Sequence, residues 1–355
     1  MTQRMRIAVK LTLAAALLAG LTACGGSKET TAPPTGTALP TETAPESPDD
    51  TPPTPAFLAP LTGMPAEEEV ANRPFAVMIN NLAPARPQSG MTQADVVWEV
   101  LAEGGITRFI AIFQSKEFAD PIGPIRSIRP YYIQVGEFYG SVLVHAGASN
   151  DGFAILQNQK KAHLDEITNA GAYFYRDKSR KAPHNVYSTL EQLREGAAKR
   201  KYEETATVPT MRFSGEPPEL ANAATAEQID IRFMLKDYKV SYAYDSAKSL
   251  YFRSINDKPH IDKNNDEQLS AANLVVFSAK HDIQDSEGRL AIDLNSGGEA
   301  ILFQGGKAIP CRWERSGDDV VRLVKDGREL PFLPGVTYYH VVQNSSSLDN
   351  HVTYQ

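Results

Sequence analysis

The chain has 355 residues, 42% of them hydrophobic, with 43 acidic against 36 basic side chains and a formal net charge of -7. That length is more than one compact domain needs, so two domains are expected once a leader and a linker are set aside. A net negative chain exerts no bulk pull on nucleic acid, which is therefore not expected as a partner.

Arg4, Arg6 and Lys10 precede an apolar run from Leu11 to Leu21, and Leu21-Thr22-Ala23-Cys24 closes it. A basic start, a short apolar core and a small residue before a cysteine have the form of a bacterial lipoprotein signal. The run falls short of the roughly 20 apolar residues of a spanning helix. Residues 1–23 are therefore expected to be a cleaved signal peptide, with Cys24 carrying lipid (palmitate among its acyl chains) and anchoring the protein to the outside of the cell membrane. Residues 24–56 are rich in Thr, Pro and Ser and poor in large apolar side chains, as in a disordered tether. Only two cysteines exist. With Cys24 acylated, Cys311 has no partner in the chain and is expected to be buried as a small hydrophobe.

The first folded segment is read over 57–205. Pro74 to Ile79, Ala94 to Leu101, Arg108 to Phe113 and Val142 to His145 are apolar runs of strand length. Glu103-Gly104-Gly105 between the second and third suits a turn joining paired strands. Tyr131, Tyr132, Val135 and Phe138 recur at helical spacing behind Pro130, a residue suited to a first helical turn. Ser188-Thr189-Leu190-Glu191 has the form of a capping box that opens a helix ending in Lys199, Arg200 and Lys201. Residues 206–228 read as a linker. From 229 to 343 strand signals dominate: Ile229 to Phe233, Val240 to Tyr244, Leu250 to Phe252, Asn273 to Phe277, Ala300 to Phe303, Val320 to Val324 and Tyr338 to Val342. Residues 344–355 read as a tail. The fold class expected is α+β, with a mixed sheet and helices in the N-terminal domain and a mainly β C-terminal domain.

Three clusters could carry chemistry. Arg126, Ser127 and Arg129 lie in one short loop before the helix at Pro130, where guanidinium forks and free N–H groups suit a phosphate or carboxylate. The opposing reading pairs Arg126 and Arg129 with Glu99 or Glu103 as internal ion pairs. A second loop, Tyr175 to Tyr187, carries Arg176, Arg180, His184 and Asn185. It either folds over an anion or is solvated surface. Third, His145 ends a strand and runs into the small residues Ala146-Gly147-Ala148-Ser149, and strand ends are where sites tend to sit. Glu99, Glu103, His145 and His184 are the candidate acids and bases. No His-x-x-His or Cys-x-x-Cys pair occurs, so neither a metal site nor a cofactor is expected.

Arg73 to Asn81, Ala85 to Gly90, Ala94 to Glu99, Glu103 to Phe109, Gly123 to Ser127 and Ala182-Pro183-His184-Asn185 together resemble the YerB-like lipoproteins, a family of unknown function with two DUF3048 regions. Gly298 to Trp313 and Pro334 to Val342 resemble its second region. The resemblance implies a secreted bacterial lipoprotein with an α+β first domain and a β-rich second, and supplies no reaction. Two functions then compete: an envelope binding or scaffold protein holding an anionic glycan, a lipid phosphate or an envelope protein, and an envelope hydrolase or transferase acting on such an anionic substrate.

Overall fold

The computed structural model describes residues 56–355; the leader, Cys24 and the tether up to residue 55 lie outside them. Strands form where apolar runs are bounded by turns. Phe75–Asn80 (β1), Val96–Leu101 (β2) and Thr107–Phe113 (β3) are buried at every position, as strands covered on both faces must be. β2 and β3 are antiparallel partners joined through Glu103–Gly105, where Gly104 and Gly105 take φ of 67° and 75°. Helix Pro130–Phe138 (α1) has proline in its first turn and leads to Val142–His145 (β4), which lies parallel to β1. Helix Asn150–Asn158 (α2), capped by Ser149, then leads to His163–Asp165 (β5), parallel to β4. Neither α2 nor β5 is evident in the sequence pattern.

Helix Leu190–Lys199 (α3) is capped by Thr189, whose hydroxyl accepts from Gln192 N at 3.2 Å. The expected cap, Ser188, instead donates its hydroxyl to the Tyr173 carbonyl at 2.8 Å. The helix thus starts one residue later than its Ser-x-x-Glu signature indicates.

The C-terminal region is built almost wholly of strands: Gln228–Arg232 (β6), Lys239–Asp245 (β7), Leu250–Ile255 (β8), Asn273–Ala279 (β9), Gly298–Gln304 (β10), Lys307–Glu314 (β11), Arg322–Lys325 (β12), Thr337–Gln343 (β13) and Val352–Tyr354 (β14). β12 begins two residues beyond the expected Val320, since Val320 and Val321 are buried outside the ladder. β14 falls in the segment read as a tail, and pairs with β6. The α+β class and the contrast between the two regions are as the sequence indicates.

One twelve-stranded sheet joins the two regions. β13 lies between β9 and β2, parallel to both, which sets Tyr339 opposite Trp98 and His340 opposite Glu99. Trp98 stacks on Tyr339 with ring centroids 4.3 Å apart. β6, β7, β8 and β14 belong to a second sheet that brings Tyr242 and Arg253 to Glu99's surroundings. Cys311, on β11, is half-buried against the core, and burial pushes its thiol up to about 12, so it is an inert thiol rather than a reactive one. No helix among the described residues is long and apolar enough to cross a membrane.

Candidate functional site

Residues Ile122 to Arg126 knit three loops together at one end of β1. Ser89 and Gly123 exchange backbone hydrogen bonds of 2.8 and 3.1 Å. Ile122 and Ser188 do the same, and Ile125 N donates to Val186 O at 2.7 Å. On the sheet side Asn80 N donates to Pro124 O and Arg126 N to Met78 O, both at 2.8 Å. Ala146 N then donates to Arg126 O at 3.1 Å, and Ile128 N to Gly147 O at 3.0 Å. The Arg126, His184 and His145 loops are therefore direct neighbours. Gly123 makes the approach possible: at φ 156° a Cβ would lie 2.6 Å from the Tyr187 ring and 2.8 Å from Val186 O.

Within this hub Arg108, Arg126 and Arg129 surround a single carboxylate, Glu103. Arg129 Nε donates to Glu103 Oε1, and Arg108 Nη2 lies 3.5 Å from Oε2. Arg108 Nη1 donates to Ser127 O at 2.9 Å, while its Nε is buried without an acceptor. Arg126 is half-buried, and its side chain has no hydrogen-bond or ion-pair partner among the described residues. Burial, followed by the charges of Arg108 and Arg129, lowers its pKa; Glu103 offsets only part of this. Burial also pulls Arg129 down, but the hydrogen bond and charge of Glu103 outweigh it and leave Arg129 raised. The two arginines of one loop thus divide: Arg129 is an internal ion pair, and Arg126 is an uncompensated cation.

His184 borders the same cluster. Asn80 Nδ2 donates to its Nδ1 at 2.7 Å, which assigns the ring proton to Nε2. Burial, then Arg126 and Arg180, lowers its pKa, so the ring is neutral near pH 7 with an N–H available. Arg180 donates to the carbonyls of Pro84 and Pro87 and ties the 176–185 loop across the 83–87 turn. Arg176 bridges Glu166 at 2.9 Å and Asn185 Oδ1 at 3.2 Å, on the exposed side of that loop. Asn185 is buried, with its amide directed at Asp177 O. The helix start adds little to the cluster: Pro130 has no N–H, and Tyr132 N already donates to Arg129 O at 3.0 Å.

Two of the four acid–base candidates lie inside the protein. Glu99 is fully buried and accepts from Arg253 Nη2 at 2.8 Å, Thr107 Oγ1 at 2.8 Å, Asn81 Nδ2 at 3.1 Å and the Tyr238 hydroxyl at 2.5 Å. Burial raises a carboxyl's pKa, but Arg253 and then His340 hold Glu99 well below the usual range. His340 Nε2 meets the Tyr242 hydroxyl at 3.0 Å, and Nδ1 faces Glu99. That nitrogen sits 3.1 Å from Glu99 Oε2 but off the hydrogen-bonding direction. His145 is also fully buried; Nδ1 donates to Gly147 O at 2.9 Å, and Nε2 lies 3.1 Å from His163 Nδ1. Burial pushes it down to about 4 against the opposing charge of Asp165. Glu103 is held by two arginines, so His184 is the one candidate at the surface that is not in an ion pair. Among the described residues no group of three or more His, Cys, Asp or Glu is placed to hold a metal.

Arg253, Tyr238, Tyr242, His260 and His340 do not stand out in the sequence as site residues, yet they form a buried polar network around Glu99. Arg253 Nε donates to His260 Nδ1 at 3.0 Å, and His260 Nε2 meets Gln88 Oε1 at 2.7 Å. A signal existed: strict alternation in β8 puts Arg253 on the inward face with Tyr251 and Ile255.

Two sequence-defined regions in one sheet, with the buried network spanning both, define the class. The chain belongs to the DUF3048 family: residues 61–203 match "Protein of unknown function (DUF3048) N-terminal domain" and residues 229–339 match the corresponding C-terminal domain. It is 35% identical over 285 residues to "Putative lipoprotein YerB" of Bacillus subtilis (strain 168), covering 80% of this chain and 86% of that protein. The crystal structure of the YerB protein from Bacillus subtilis superimposes with a TM-score of 0.76 at 32% identity, over 84% of this chain and 99% of that one.

Proposed function

We propose that this protein is a lipid-anchored extracytoplasmic binding protein whose Arg126 cluster holds an anionic group of the cell envelope, a glycan carboxylate or a lipid-linked phosphate. The observation that carries the reading is Arg126 itself. A half-buried guanidinium without an acceptor, beside a neutral His184 N–H, is a set of donors left open for an anion. Binding is favoured over catalysis because Glu99 and His145 are sealed from solvent and Glu103 is neutralised by Arg108 and Arg129. The anchor rests on the Leu21 to Cys24 pattern and on the name of the Bacillus subtilis relative.

Cys24→Ser should move the protein from the membrane to the soluble fraction with its far-ultraviolet circular dichroism unchanged; retention in the membrane would contradict a lipid anchor at Cys24. In the soluble Cys24→Ser chain, inorganic phosphate, pyrophosphate and carboxylated wall fragments provide a panel for thermal stabilisation, since a ligand that binds only the native state raises Tm. At least one should stabilise, and Arg126→Ala should weaken it at least about tenfold, the equivalent of ~1.4 kcal/mol. Arg176→Ala, which removes an exposed cation already paired with Glu166, should weaken it much less. Equal effects of the two substitutions would point to diffuse charge attraction and overturn the site.

A further inference from the structure

A second guanidinium is left open, and this one lines a cavity. The space has a volume of ≈ 170 Å³ and is walled by the 81–86 turn and residues 106–107 of the first family region and by Leu235, Asp237, Tyr238 and Asn256 of the second. Arg86 Nε donates to Asn81 O at 3.0 Å, and its Cζ lies 5.2 Å from the centre of the Tyr238 ring. Those two contacts fix the guanidinium and leave both Nη groups without a hydrogen-bond or ion-pair partner among the described residues. Neither Nη is sealed from solvent, unlike the buried Nε of Arg108. Glu99, the carboxylate whose charge Arg86 feels, is already paired with Arg253 at 2.8 Å.

The other side-chain donors of the cavity are engaged within the protein. Asn81 Nδ2 serves Glu99, Thr107 and the Tyr238 hydroxyl. Thr107 and Tyr238 donate their hydroxyls to Glu99 Oε1, and Asn256 Nδ2 donates to Asp237 O at 2.7 Å. What remains for a ligand is one planar fork, with aliphatic surface from Leu82, Ala83, Ile106 and Leu235 beside it. Such a fork matches the two oxygens of a carboxylate. A phosphate has further oxygens that would be left against aliphatic walls without donors. The volume sets the size, since a cavity of ~150 Å³ admits benzene and a ligand of about six non-hydrogen atoms therefore fits.

We infer that this cavity binds a small aliphatic carboxylate: the two Nη groups of Arg86 hold its oxygens, and its carbon body lies against Leu82, Ile106 and Leu235. A short-chain acid and a small α-amino acid share this chemistry. Asp237, exposed and without an ion pair among the described residues, lines the same cavity and suits the ammonium of the second. The site shares no residue with the Arg126 cluster and stands whether or not that cluster binds anions.

The test is ligand-observed NMR titration of the Cys24→Ser chain with propionate and, separately, with L-alanine. At least one should bind saturably, and the tighter of the two identifies the source; ethylammonium, which lacks the carboxylate, should not bind. Arg86→Met should weaken binding at least about tenfold, and Arg86→Lys, which keeps the charge but not the fork, at least about threefold. Arg126→Ala should leave it within about twofold. If Arg86→Met does not fold, Arg86→Lys decides alone. No saturable binding of either acid, a smaller effect of Arg86→Lys than of Arg126→Ala, or displacement of the bound acid by an equal concentration of inorganic phosphate overturns the inference.

Discussion

Arg253→Met should destabilise the protein by about 3–5 kcal/mol, the cost of leaving a buried charge without its partner. Arg253 and Glu99 are both fully buried and 2.8 Å apart, and Arg253 also serves Tyr242 and His260. Removing the guanidinium strands Glu99 inside the protein. Trp98 and Trp313, the chain's two tryptophans, are both buried, so their fluorescence reports urea unfolding. The midpoint should fall with an unchanged denaturant slope. The surface pair Arg289–Asp285, each side chain about a third exposed, is the contrast: Arg289→Ala should cost less than about 1 kcal/mol. Similar losses at the two positions would mean that Glu99 is solvated or protonated in the native state and that the network is misread.

Acid should unfold the protein in two stages. His145, His260 and His340 are buried and neutral: burial comes first among the causes that lower each, and His145 is pushed to about 4. Below the ordinary imidazole pKa of roughly 6.5 the unfolded chain takes up protons that the native protein refuses. The unfolded state then binds more protons, so stability falls as pH falls, by up to about 1.4 kcal/mol per pH unit for each such histidine. The first loss begins near pH 6.5 and runs down through the lowered native values. Glu99 adds the second. Its native pKa is depressed, so its contribution is complete above the ordinary carboxylate range and is lost as pH drops below about 4. Urea midpoints between pH 7.5 and 5 should therefore fall steeply, and His260→Gln should flatten the slope by about one histidine's share. A flat profile over that range would contradict the buried neutral assignments.

Strand positions were legible because an apolar run of strand length, bounded by turn residues, can bury its side chains in few ways besides a covered strand, and β1, β2, β3 and β9 fall where the runs do. Boundaries were less so. Two adjacent hydroxyl residues, Ser188 and Thr189, can each cap α3, and only Tyr173 O, reached through tertiary folding, takes Ser188 away. Arg126 and His184 drew notice by residue type, and backbone pairing makes their loops neighbours. What the chain could not disclose is which cation keeps its charge free. Arg129 and Arg126 are three residues apart and equivalent in sequence; the position of Glu103 decides between them. Glu99 was legible as a carboxylate but not as a sealed one, because its partner Arg253 lies 154 residues away and reaches it from a different sheet.

The central claim is that the Arg126 cluster binds an anion without transforming it. The most direct measurement incubates the Cys24→Ser chain with lipid-linked sugar phosphates and anionic wall fragments, scoring retention on the protein and new products by mass spectrometry in the same samples. A retained, unaltered ligand that is lost in Arg126→Ala is the expected result. A product formed by the wild type and abolished by His184→Ala would contradict it and make this surface an active site.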